Sequence, residues 1–255
     1  MPYPHAIWAY AVAAEISPDR LAGLAGVAGQ PVRVVTGAGL AAAVSTVSLA
    51  EFGEQPLRQR MEDLAWLEET ARAHHRVIEA LARPVLPLRL ATIYHDDGNV
   101  AGLLAQRQAE LAAALDQMTG RAEWGVKLFA AQHAAAPDTP EPPGAGPGAA
   151  YLRRRRHQLS AQEQARQADA AMAEEVHAEL CGIAAAAQLR PAQAAELTGE
   201  ASHTTMLLNA TYLVDDAAAA RFAAAVRGLG QRHGVPIELT GPWPPYSFAL
   251  PGAVA

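Results

Sequence analysis

Histidine is the usual entry to metal and acid–base chemistry, because imidazole titrates near neutrality and ligates transition metals. The chain has nine. His74 and His75 are adjacent in a stretch with helical periodicity. Neighbours on a helix point about 100° apart, so the pair cannot face one metal. His75 and Glu79 stand four apart, the spacing of a surface hydrogen bond. His95-Asp96-Asp97 has metal-ligand residue types, yet it precedes Gly98-Asn99 at a strand end, where Asp and Asn make turns and helix caps. No serine stands in a Gly-x-Ser-x-Gly elbow. Gly144-Ala145-Gly146-Pro147-Gly148 follows a proline-rich stretch, not a strand, and lacks the Gly-Lys-Ser/Thr of a phosphate loop. Cys181, the single cysteine, has an apolar helical setting without a basic neighbour, so a small buried residue is expected. Asn209-Ala210-Thr211 matches a glycosylation sequon but reads as strand. The residues therefore predict no catalytic group, no metal site and no cofactor.

Bulk properties exclude further classes. The 255 residues carry a net charge of −6, which gives no global attraction to nucleic acid. A hydrophobic fraction of 51% is too high for a disordered chain. One cysteine rules out a disulfide framework or a cysteine-rich zinc module. No window reaches the ~18 apolar residues of a membrane span. Met1 to Tyr10 has no basic n-region, so a cytoplasmic protein with a reduced thiol is expected. Alanine supplies 60 residues and arginine outnumbers lysine 19 to 1, Lys127 being the lone lysine; any alanine-poor cluster is thus informative. Arg153–Arg156 is the strongest charge run. Its charges splay around one helical turn, which suits pairing with acidic neighbours or an acidic partner better than nucleic acid.

The elements that position these residues fall into two groups. Residues 132–150 hold five prolines and three glycines, the composition of a solvated linker. It divides an N-terminal α+β domain, 1–131, from a smaller C-terminal α+β domain, 151–255. In the first, 6–13 alternates as a strand buried on both sides, with Ile7, Ala9, Ala11 and Ala13 on one face and Trp8, Tyr10 and Val12 on the other. Ser17-Pro18-Asp19 opens a short helix. Strands 32–35 and 41–49 form a hairpin across Thr36-Gly37-Ala38-Gly39. One long helix is expected over 56–81, a strand over 85–93, a helix over 99–118 and a strand over 123–130. The order β-α-β-β-α-β, then α-β, is the split βαβ, ferredoxin-like plan with an extra αβ unit. The second domain reads as a helix from 151 to about 189, a strand 204–214, a helix carrying Phe222, Val226 and Leu229 on one face, and a strand 237–239.

Three segments escape the alanine bias: PLRLATIY at 87–94, EWGVKLF at 123–129 and LTGPWPPYSF at 239–248. A strand tryptophan usually fills a core, but a Gly-Pro-Trp-Pro-Pro corner is rigid and can present Trp243 and Tyr246 to a partner. With LNATYLVD at 208–215 and WAYAV at 8–12, these segments resemble the gas vesicle protein F and L (GvpF/GvpL) family over both halves of the chain. The resemblance implies two α+β domains and a non-enzymatic, chaperone-like accessory protein for gas vesicles, the protein-walled gas compartments of some prokaryotes. It implies as partners the small hydrophobic shell protein and other accessory proteins, met during shell nucleation, with no nucleic acid. It implies a location in the cytoplasm and at the gas vesicle. A minor structural component on the gas-facing side is the alternative.

A very apolar shell subunit needs its greasy face covered before assembly, by β-augmentation at a sheet edge or by a helix in a groove. The partner-binding candidates are Arg89, Tyr94, Trp124, Lys127, Trp243 and Tyr246. A small-molecule site or enzyme is the competing reading. It requires Arg89, Thr92, Tyr94 and Lys127 to converge on one cavity.

Overall fold

A computed structural model describes residues 4–130, 147–191 and 205–249. The chain is α+β with two antiparallel sheets. Its two compact units are residues 1–123 with 242–255, and residues 124–241. These bounds differ from the expected halves. The strand read over 123–130 joins the second sheet, and the C-terminal corner returns to the first unit. Of the expected linker, 132–146 lies outside the described residues, and helix begins at Pro147.

The first unit is built on β1 (His5–Ala13), β2 (Val32–Gly37) and β3 (Leu40–Ser48). Its edge is formed by two short strands, β4 (Leu86–Pro87) and β5 (Ile93–Tyr94), which both pair with β1. The order β2-β3-β1-β4 is that of a split βαβ sheet, with 3-10 turns at Pro18–Arg20 and Val27–Gly29 where the first helix was expected. β1 is buried along both faces, as its apolar run requires. Its faces are not the ones strict alternation gives. The register with β3 shifts between Ala9 and Ala11, a bulge that reverses the phase. Trp8, Tyr10, Ala11 and Ala13 therefore share the core beneath one face.

Helix covers both sides of this sheet. The helix expected over 56–81 is interrupted: α1 (Leu49–Phe52), α2 (Glu54–Arg60) and α3 (Leu64–Ala80) follow one another. Asp63 causes the second break. Its carboxylate accepts from the backbone N–H of Ala65 and Trp66, at 3.0 and 3.2 Å, so it caps a new helix instead of continuing the old one. α3 packs Ala73, Val77 and Ile78 into the core with Trp8 and Tyr10. The helix expected over 99–118 is likewise two, α4 (Asp97–Gln106) and α5 (Gln108–Met118), bent at Arg107. Asp96 caps α4 through Asn99 N–H at 2.8 Å. Asp97 takes a bidentate pair from Arg33 of β2 at 2.7 and 2.8 Å.

The second unit is a four-stranded sheet in the order β7-β8-β6-β9, made of β6 (Arg121–Phe129), β7 (Ala186–Leu189), β8 (Met206–Asp215) and β9 (Ile237–Trp243). It packs against α6 (Pro147–Cys181) and α7 (Ala219–His233). Phe222, Val226 and Leu229 of α7 meet Val126, Tyr212 and Val214 from the sheet and Val176 and Leu180 from α6. Gly234 ends α7 with φ +65°, a left-handed cap that glycine adopts without strain. α6 stops at Cys181, short of the expected Leu189: Gly182 follows it directly, and Ala186–Leu189 pairs as β7 with β8. Cys181 is exposed, against expectation: it sits at the helix end, past the last core residue, Leu180. No helix among the described residues is long and apolar enough to cross a membrane.

Candidate functional site

In the first unit the two adjacent histidines of α3 hold two different segments. His74 is 3% exposed. Trp8 donates its Nε1–H to His74 Nδ1 at 3.0 Å, and Nε2 stands 3.0 Å from the Leu88 carbonyl. The indole fixes the tautomer, since Nδ1 must accept and Nε2–H must donate. Burial pulls the His74 pKa down to about 4. The imidazole is therefore a neutral strut between β1, α3 and the loop after β4.

That loop, residues 88–92, replaces the centre of the strand expected over 85–93. Ala91 has φ +65°, and the Arg89 carbonyl accepts both the Thr92 N–H and, at 2.8 Å, the Thr92 hydroxyl. The chain leaves β1 after Leu88, whose N–H donates to the Tyr10 carbonyl, and rejoins it at Thr92 and Ile93, where the Thr92 carbonyl accepts from Ala9 N–H and Ile93 pairs with Trp8. The loop and β5 wall a cleft of about 590 Å³, closed on its other side by Leu49, Phe52 and Leu57. Arg89 is exposed at its rim. Tyr94 is buried, which raises its phenol pKa even though Arg107 lies nearby. Beyond β4 and β5 no further strand closes this edge among the described residues.

His75 faces the C-terminal corner. The Tyr246 hydroxyl lies 2.8 Å from His75 Nδ1, and His75 Nε2 lies 3.2 Å from Glu79. The carboxylate selects Nε2 as the protonated nitrogen, so Tyr246 donates to Nδ1. Burial, with Glu79 and Glu123 nearby, raises the Tyr246 pKa. Trp243 stands 5.7 Å from the same imidazole, ring centre to ring centre, and remains 42% exposed. Glu123, itself buried, accepts the Ser247 N–H at 2.7 Å and the Ser247 hydroxyl. The corner is thus clamped at two points and presents one indole.

The six candidates divide accordingly. Trp243 and Tyr246 meet at His75, and Arg89 and Tyr94 flank the cleft. Trp124 and Lys127 belong to β6 of the second unit. Trp124 packs against Phe222 at 6.2 Å, with Nε1 buried and without a hydrogen-bond partner among the described residues. Lys127 is half-buried. Of the four groups required for a small-molecule pocket, Arg89, Thr92 and Tyr94 line the cleft, but the Thr92 hydroxyl is engaged within its own turn. The described residues contain no cluster of three or more metal-ligating side chains. Arg153–Arg156 are exposed on α6. His74, His75 and Glu123 were missed as anchors. Only the position of the histidine pair on a core-facing helix hinted at them.

A family model described as gas vesicle synthesis protein GvpL/GvpF matches residues 6–250. Gas vesicle protein L of Streptomyces sp. (strain CB03234) is 41% identical over 232 residues, covering 89% of this chain and 86% of that protein. Gas vesicle protein F of the same strain is 31% identical over 250 residues, covering 91% and 92%. The crystal structure of GvpF from Anabaena sp. PCC7120 superposes with a TM-score of 0.70 at 17% identity, over 98% of both chains. That of GvpF from Microcystis aeruginosa gives 0.66 at 18% identity, over 96% of this chain and 99% of that one. These two likenesses speak for the fold.

Proposed function

The chain belongs to the GvpL/GvpF family of gas vesicle synthesis proteins, and we propose that it is a non-catalytic accessory of vesicle assembly. It binds the small hydrophobic shell protein, or other accessory proteins, while the shell nucleates, and it works in the cytoplasm and at the growing vesicle. One observation carries this reading: three polar side chains of the first unit, His74, His75 and Glu123, hold the segments that present these surfaces. His74 holds the loop that walls an apolar cleft, while His75 and Glu123 hold the corner that leaves Trp243 exposed. A fixed indole and a cleft at an open sheet edge are what an apolar segment or added strand can dock against. Arg89, Tyr94, Trp243 and Tyr246 are the proposed contacts there, with Trp124 and Lys127 on the second unit.

Crosslinking in vesicle-producing cells, read by mass spectrometry, tests the reading. Links from residues 89–95 and 243–246 to the shell protein or an accessory protein are expected. A link pattern without vesicle proteins, together with normal vesicles in a deletion strain, contradicts it.

A further inference from the structure

The 35-residue helix α6 is about 52 Å long, and its C-terminal part packs on the core of the second unit. Val176 and Leu180 are buried, and Met172 and Ala173 pack on the same core. From Arg153 to Ala168 every residue is exposed. Over the C-terminal part, Ala171, Glu174, Glu175 and Ala178 form the solvent face. Continued toward the N-terminus at alternating spacings of four and three, that face runs through Ala168, Gln164 and Ala161 to His157 and Arg154. Its middle is small enough for a second helix to approach closely.

The charges on α6 are sorted along its length. Residues 151–160 hold four arginines, Arg153–Arg156, and no acid. Residues 161–181 hold one arginine, Arg166, against five acids, among them Glu174 and Glu175. A helix basic at one end and acidic at the other is its own complement when two copies run antiparallel. With the twofold axis near Gln164, residues 153–156 of one copy lie opposite 172–175 of the other, twice over. Each exposed N-terminal half then rests on a half anchored by its own core. Glu175 also stands 3.6 Å from Arg232 within its own chain, so Glu174 is the less committed acid.

We infer that α6 is a self-association surface: two copies of this chain pair through antiparallel α6 helices, by an isologous contact of basic half on acidic half. The occupant is a second copy because the complementary charge is already present on the same helix, at the matching distance from a common centre.

Sedimentation velocity on the full chain tests this from about 1 to about 100 µM, the range of weak but specific contacts. A dimer is expected that weakens as salt rises from about 50 to about 500 mM. The variants R153E/R154E/R155E/R156E and E174R/E175R change exposed side chains, and unaltered thermal melting checks that each folds. Each alone is expected to be monomeric, because like charges then face each other. An equimolar mixture of the two is expected to recover the dimer, because reversed meets reversed and native meets native. A wild-type chain monomeric throughout, charge-reversed variants that dimerise unaided, or a mixture that stays monomeric would overturn the inference.

Discussion

Acid should weaken the first unit through His74 in a calculable way. The imidazole is buried, accepts from Trp8 and donates to Leu88, and its pKa is lowered from 6.5 to about 4 by burial. Above pH 6.5 neither the folded nor the unfolded form holds the extra proton, and the group contributes no pH dependence. Between 6.5 and about 4 the unfolded chain takes up a proton that the folded chain refuses, so stability falls as pH falls. A tenfold difference in proton affinity between the two forms is worth about 1.4 kcal/mol, which sums to about 3 kcal/mol across the window. Below about 4 the folded state is protonated too and the slope ends. Carboxylates titrate nearby, so the informative quantity is the difference from His74→Gln, whose amide can accept and donate at the same two places without titrating. Hydrogen exchange of the β1 amides reads the first unit alone. Between pH 7.5 and 4.5 the wild type is expected to lose about 2–3 kcal/mol more protection than the variant. Parallel pH profiles would refute the reasoning.

Other substitutions follow from the same geometry. Gly26→Ala places a Cβ 2.1 Å from the Tyr10 hydroxyl, which donates to Ser45 and accepts from Val27 N–H; a loss of about 1–3 kcal/mol is expected in thermal unfolding. Asp63→Ala removes the cap of α3 and should cost about 1 kcal/mol, with faster exchange of the Ala65 and Trp66 amides. Tyr246→Phe deletes the hydroxyl that His75 accepts, so exchange in the corner should quicken while the β1 amides, held by His74, keep their protection.

Much of the fold was legible because periodicity survives an alanine-rich composition wherever larger side chains mark it. β1, the β2–β3 hairpin and the Phe222–Val226–Leu229 stripe of α7 stand near their expected places. What escaped was local polar chemistry and its geometric consequences. Asp63 looks like any acid inside a long amphipathic run, yet its carboxylate restarts the helix. The bulge at Tyr10 leaves the sequence looking like plain alternation and reverses which side chains share a core. The strand read over 123–130 exists, but nothing local states which sheet it joins. At the site, the proline-rich run marked Trp243 and Tyr246, whose side chains both stand beside His75, although Gly241–Trp243 continues β9 rather than forming part of the corner. The anchors His75 and Glu123 were not legible, because they are made by contacts between residues up to 171 positions apart.

The most direct test of the central claim is binding of purified shell subunit to the full chain, compared with Trp243→Ala and Arg89→Glu. Trp243 is partly exposed and Arg89 is exposed, so both variants should fold as the wild type does. The account predicts that the wild type retains the subunit and that each variant loses affinity by about tenfold or more, the scale of a contact worth about 1–2 kcal/mol. Equal retention by all three chains, or none by the wild type, would contradict it.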